Sequence, residues 1–129
     1  MPTPQEIRDI VNTYIGMMCS DDIEGIMGLY AEDATAEDPV GGEVKQGIDA
    51  LREFYSFAAP ALQVELKGPI CVAGDSCAFL VMAKLTMGDE VSYLNATDVF
   101  TFNDAGKITS MRAYWDPQDM RPEPWPWQL

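Results

Sequence analysis

Histidine is absent from this chain of 129 residues. Its absence removes the Ser/His/Asp triad, the Cys/His pair, the usual catalytic zinc site and the commonest base near neutral pH. Proton transfer must then fall to Asp, Glu, Tyr or Lys. Basic residues are scarce as well: eight Lys and Arg stand against twenty-one Asp and Glu, a formal net charge of −13. Such a surface repels phosphate backbones and anionic lipid, so nucleic acid is not an expected partner. Cysteine occurs only as Cys19, Cys71 and Cys77, without C-x-x-C spacing, which argues against a disulfide framework or thiolate metal site and fits a reducing cytoplasm. No apolar run approaches the ~18 residues of a membrane span, and the first residues lack the blocks of a secretory signal. A cytoplasmic protein, away from membranes, is expected. Calcium-loop spacing and a glycine-rich phosphate cradle are missing too.

What remains, 47% hydrophobic and 22% charged residues, suits one compact domain over residues 1–116. A first helix is announced by Thr3, Pro4 and Glu6, a capping box with proline at the first helical position; Ile7, Ile10, Val11, Tyr14, Ile15 and Met18 follow at helical spacing. A second starts at Asp21 or Asp22 and carries Ile23, Ile26, Met27 and Tyr30 inward. Residues 34–39 read as a strand-like arm ending in Asp38-Pro39, and a third helix covers 48–59, with Pro60 as its stop. The period then changes from 3.6 to 2, with strands expected over 62–72, 77–87, 91–103 and 107–115. Three helices ahead of a strand meander, without strand–helix–strand repetition, give an α+β class: helices packed on a curved antiparallel sheet around a pocket. Residues 117–129, rich in proline and holding Trp125 and Trp127, form a tail expected to pack on the domain or on a second subunit.

Within the third long strand, Ser92, Leu94, Ala96, Asp98, Phe100 and Phe102 share one face. A carboxyl on that greasy side loses hydration and keeps its proton more tightly. The plainer alternative is a bulge or sheet edge that returns Asp98 to water. Tyr14, Tyr30 and Tyr55 point inward from their helices, either as core tyrosines or as the wall of a polar pocket. Asp38 shares parity with Ala34 and Ala36, although aspartate before proline also commonly opens a turn.

These segments resemble the Δ5-3-ketosteroid isomerase family, within the cone-shaped fold of nuclear transport factor 2. The similarity is carried by Tyr14-Ile15, by Leu29-Tyr30-Ala31-Glu32-Asp33-Ala34-Thr35-Ala36-Glu37-Asp38-Pro39-Val40-Gly41, by Arg52-Glu53-Phe54-Tyr55, by Thr97-Asp98-Val99-Phe100-Thr101-Phe102-Asn103 and by Gly106-Lys107-Ile108-Thr109-Ser110-Met111-Arg112-Ala113. The resemblance implies a steroid Δ-isomerase in which Asp38 moves a proton from C4 to C6 of a 3-oxo-Δ5-steroid. It also implies that Tyr14 and a protonated Asp98 hold the C3 oxygen, an arrangement taken over from that family. By the same resemblance Tyr30 and Tyr55 support Tyr14, and Phe54, Leu80, Met82, Phe100, Met111 and Trp115 line the steroid channel. No cofactor or metal enters the scheme. A homodimer through the outer sheet face is implied, with Tyr93, Val99 and Tyr114 compatible with it. The alternatives are a cofactor-free cyclase or hydrolase of the same fold, and a steroid- or lipid-binding module without catalysis.

Overall fold

The computed structural model describes residues 1–125. The capping box forms as the sequence predicts: the Thr3 hydroxyl accepts from the Glu6 backbone N–H at 3.1 Å, and the Glu6 carboxylate accepts from the Thr3 N–H at 3.0 Å. Helix α1 follows over Pro4–Cys19 and α2 over Ile23–Leu29, capped by the Asp22 side chain. Tyr30 does not close that second helix; it begins strand β1, Tyr30–Glu37, and stays buried because the helix ends with its side chain already turned inward. A short strand not foreseen, β2 (Val44–Gln46), returns antiparallel to β1. Gly47, at φ 89° in the left-handed region, then donates its N–H to the Ala34 carbonyl at 2.8 Å and starts α3, Ile48–Ala61. Pro60 lies inside the last turn and does not stop the helix, since there it forfeits only its own N–H bond.

The expected strand 62–72 is two strands in one lane, β3 (Leu62–Leu66) and β4 (Cys71–Ala73), both antiparallel to β5 (Ser76–Met87). Gly68-Pro69 lies at the break, where a residue without an N–H cannot serve the ladder. Strands β6 (Glu90–Phe102) and β7 (Ile108–Tyr114) complete one sheet, ordered β2-β1-β7-β6-β5-β3. It is mixed and not wholly antiparallel, because β1 runs parallel to β7. Short turns force neighbouring strands to reverse, but α3 and four strand lanes (β2, β3 with β4, β5 and β6) separate β1 from β7 and leave its direction free. The helices cover one face of this sheet, and the buried residues of both layers join in a single apolar core. Phe100, fully buried, meets Tyr14, Phe79 and Phe102 edge-on with ring centroids 5.0, 5.1 and 6.2 Å away.

Beyond β7 the chain makes a 3₁₀ turn over Pro117–Asp119 and rejoins the sheet, where Arg121 and Tyr93 exchange backbone hydrogen bonds of 2.7 and 2.9 Å. Trp125 lies half-buried with the Arg121 guanidinium 4.4 Å from its ring centroid; Trp127 lies outside the described residues.

Truncating Phe79, a buried ring directly opposite Asp98 in the sheet, to alanine is expected to cost ~3–5 kcal/mol, read as a lowered urea midpoint.

Candidate active site

Three of the singled-out side chains meet on one cavity of about 60 Å³: Tyr14 from α1, Asp98 from β6, and Asp38 just after β1, with Trp115 beside them. The turn after β1 is fastened on both sides. Val40 N–H reaches the Ala113 carbonyl of β7 at 2.8 Å, Gly41 N–H the Glu37 carboxylate at 2.9 Å, and Glu37 in turn accepts from Arg112 at 3.1 Å. Asp38, whose peptide bond to Pro39 is cis, is thereby held against the end of β7. There the Trp115 indole N–H donates to its Oδ1 at 2.5 Å, and Oδ2 makes no hydrogen bond among the described residues.

Asp98 is only 9% exposed, and its carboxyl makes no hydrogen bond among the described residues. Burial, and then the charge of Asp38, push its carboxyl from the ordinary 3.8 up to about 8, so it carries a proton at neutral pH. Burial raises Asp38 too, but the Trp115 N–H and the Lys45 ammonium oppose that rise. Both carboxyls on the cavity are thus raised, and Asp98, with no donor or cation to oppose its burial, holds its proton the more tightly.

Tyr14 heads a chain of phenols. Its hydroxyl lies 3.0 Å from that of Tyr55, which lies 2.5 Å from that of Tyr30. If Tyr30 donates to Tyr55 and Tyr55 to Tyr14, every proton is used and that of Tyr14 is free for the cavity; the reverse order strands the Tyr30 proton in the core. Burial holds all three phenols well above their usual range and therefore neutral.

The remaining expected channel residues are placed differently. Phe100 and Met111 pack behind the cavity wall, Phe100 edge-on against Tyr14, and neither lines the cavity. Phe54 packs against the Tyr55 ring, centroids 5.0 Å apart, and lines a separate cleft. Leu80 and Met82 do not face the cavity: Phe79 pairs with Asp98 and Leu80 with Thr97, which puts Leu80 and Met82 on the opposite sheet face. Their places are taken by Val81 and Ala83, opposite Ala96 and Leu94. The signal for this was the two-residue Gly88-Asp89 turn, which pairs Met87 with Glu90 and so fixes every later partner. Met18 and Val64, also missed, join the wall from the end of α1 and from β3.

A family model described as a SnoaL-like domain matches residues 11–111. The chain belongs to the SnoaL-like family. One relative is a steroid Delta-isomerase of Nocardioides simplex, 40% identical over 116 residues, which span 89% of this chain and 94% of that protein. A solved structure similar to it is the epoxide hydrolase/cyclase-like enzyme SalBIII, described for its role in pyran ring formation in the polyether salinomycin. It is 33% identical, with a TM-score of 0.88 over 93% of this chain and 98% of that one. The likeness places the SnoaL-like chain in the nuclear transport factor 2 superfamily and supports the α+β class read from its sequence. No helix among the described residues is long and apolar enough to cross a membrane.

The protonated carboxyl has a consequence for stability. Between pH 3.8 and about 8 the unfolded SnoaL-like chain has lost the Asp98 proton that the folded chain keeps. Stability therefore falls as pH rises through that window and levels off above it. Asp98→Asn removes this contribution, so its melting temperature is expected to overtake the wild type progressively across the window. An offset independent of pH would show that the carboxyl is solvated.

Proposed function

We propose that the chain is a steroid Δ-isomerase that converts 3-oxo-Δ5-steroids to 3-oxo-Δ4-steroids. The observation that carries this reading is the unpartnered, protonated Asp98 on an apolar wall that it shares with Tyr14 and Asp38. The Asp38 carboxylate, with Oδ2 free, takes the C4 proton; the electron pair moves onto the C3 oxygen and forms a dienolate. Tyr14 and Asp98 donate hydrogen bonds to that oxygen, and Asp38 returns the proton to C6. A positioned base contributes on the order of 10²–10⁴ in rate, and each preorganised donor ~3 kcal/mol. The relationship to the Nocardioides simplex enzyme supports the same chemistry.

The cavity, at about 60 Å³, is below the ~300–1,000 Å³ of drug-sized sites. A steroid therefore enters by displacing the half-exposed side chains at the mouth, Ile15, Val64 and Trp115. The likeness to the cyclase-like enzyme favours a second reading, in which the same acid and base act on another ring system. Growth of conjugated-enone absorbance on adding a 3-oxo-Δ5-steroid separates the two, and binding without turnover would leave a ligand-carrying module.

Asp38→Asn is expected to lower turnover ~10²–10⁴-fold while a phenolic steroid still binds; equal loss of both would make the residue structural. Tyr14→Phe and Asp98→Ala are each expected to slow turnover ~10²–10³-fold, and a normal rate in the double variant would overturn the donor assignment. Two copies are further proposed to pair through the outward face that holds Leu80, Met82, Val99 and the exposed Tyr114. Val99→Asp is then expected to shift a sedimenting dimer to monomer.

A further inference from the structure

The few cations of this acidic chain are mostly engaged away from the cavity. Arg52 pairs with Glu24 and Asp49, Arg112 with Glu37, Lys67 with Glu65, and Lys107 donates to the Gly28 carbonyl. Lys45 is placed otherwise. On β2 it stands opposite Ala36, the buried residue of β1 that precedes Asp38 at strand parity. Diagonal neighbours across an antiparallel pair lie ~7–8 Å apart at Cα, within reach of a long side chain.

The Lys45 ammonium sits 5.8 Å from the centroid of the Phe54 ring, and that ring is itself braced edge-on by Tyr55. The aromatic face thus holds a cation beside the site without neutralising it. Glu43 and Glu53 line the same cleft, yet among the described residues no carboxylate comes within ion-pair distance of Lys45. The groups around Asp38 are Tyr14 from α1, Asp98 from β6, Trp115 after β7 and Lys45 from β2; Glu37 and Arg112 are paired to each other. Of these, only Lys45 is a cation acting on Asp38.

We propose that Lys45, seated on the Phe54 ring, is a positioning residue that keeps Asp38, and not Asp98, the ionised member of the carboxyl pair. Both carboxyls are taken from water, and two adjacent carboxyls resist carrying two negative charges. The Trp115 N–H and then the Lys45 cation break that symmetry: both favour the charge on Asp38, and the charged Asp38 then favours the proton on Asp98. Phe54, expected to line the channel, serves here as the seat of the cation. The inference rests on the reading of Asp38 as the base.

The test follows Asp38 directly, by carbon NMR of aspartate-labelled protein, with Asp38→Asn identifying its signal. In Lys45→Met and Lys45→Gln the Asp38 midpoint is expected to move upward, and Lys45→Arg to return it towards the wild type. Turnover should follow, with the acid limb of kcat/KM displaced in the same direction and the loss smallest at alkaline pH. An Asp38 midpoint unmoved in both neutral variants, with the amide spectrum intact, overturns the proposal, as does a loss of turnover equal at every pH. If the midpoint moves while the wild type turns over no 3-oxo-Δ5-steroid, control of Asp38 by Lys45 stands and the isomerase reading falls.

Discussion

A carboxyl withdrawn from water keeps its proton, and the rest of this site is arranged around that fact. Asp98 stands on a wall of alanine, leucine and phenylalanine, where no backbone donor or cation stabilises its ionised form. An aspartate in such surroundings becomes a hydrogen-bond donor and stops being a base. The fold accepts a cost for this, since apolar neighbours would be cheaper in its place. That kind of cost collects where function needs it.

The second carboxyl gains its meaning from contrast. Asp38 faces the same cavity, but an indole N–H and a lysine charge oppose the burial that would otherwise neutralise it. One apolar cup thus holds two carboxyls of unequal proton affinity, with neutral phenols linked behind Tyr14. The parallel pairing of β1 with β7 makes this possible. It brings Asp38 to the strand end from which Trp115 projects, while β7 also borders the strand that carries Asp98. On the proposed function, the cup takes an uncharged, apolar ligand with one polar atom to be gripped, in keeping with a chain of strongly negative net charge.

The SnoaL-like fold hosts more than one chemistry, as the isomerase and the cyclase-like enzyme among its relatives illustrate. The fold supplies the cup; the reaction is decided by which polar groups the cup contains and by their proton states. Tyr14, Asp38 and Asp98 therefore say more about function than the whole of the sheet does.

The capping box of α1, the inward parity of Asp98 and the α+β class could all be read from the chain, because each depends on local spacing or on one strand's alternation. The single buried face of β6 made Asp98 legible: five alternate positions, Leu94 to Phe102, are buried, and no bulge interrupts them before Thr101. Leu80 and Met82 were misplaced because every position of β5 from Phe79 to Met82 is apolar, so alternation is silent and only hairpin register separates the faces. The parallel entry of β1 lay beyond reach, because it is a contact between segments far apart in sequence, and no local preference encodes which distant partner wins. The sequence by itself determined which residues are able to hold or give a proton. Their proton states were decided by tertiary structure alone, because those depend on how much water and which charges the assembled fold leaves around each group.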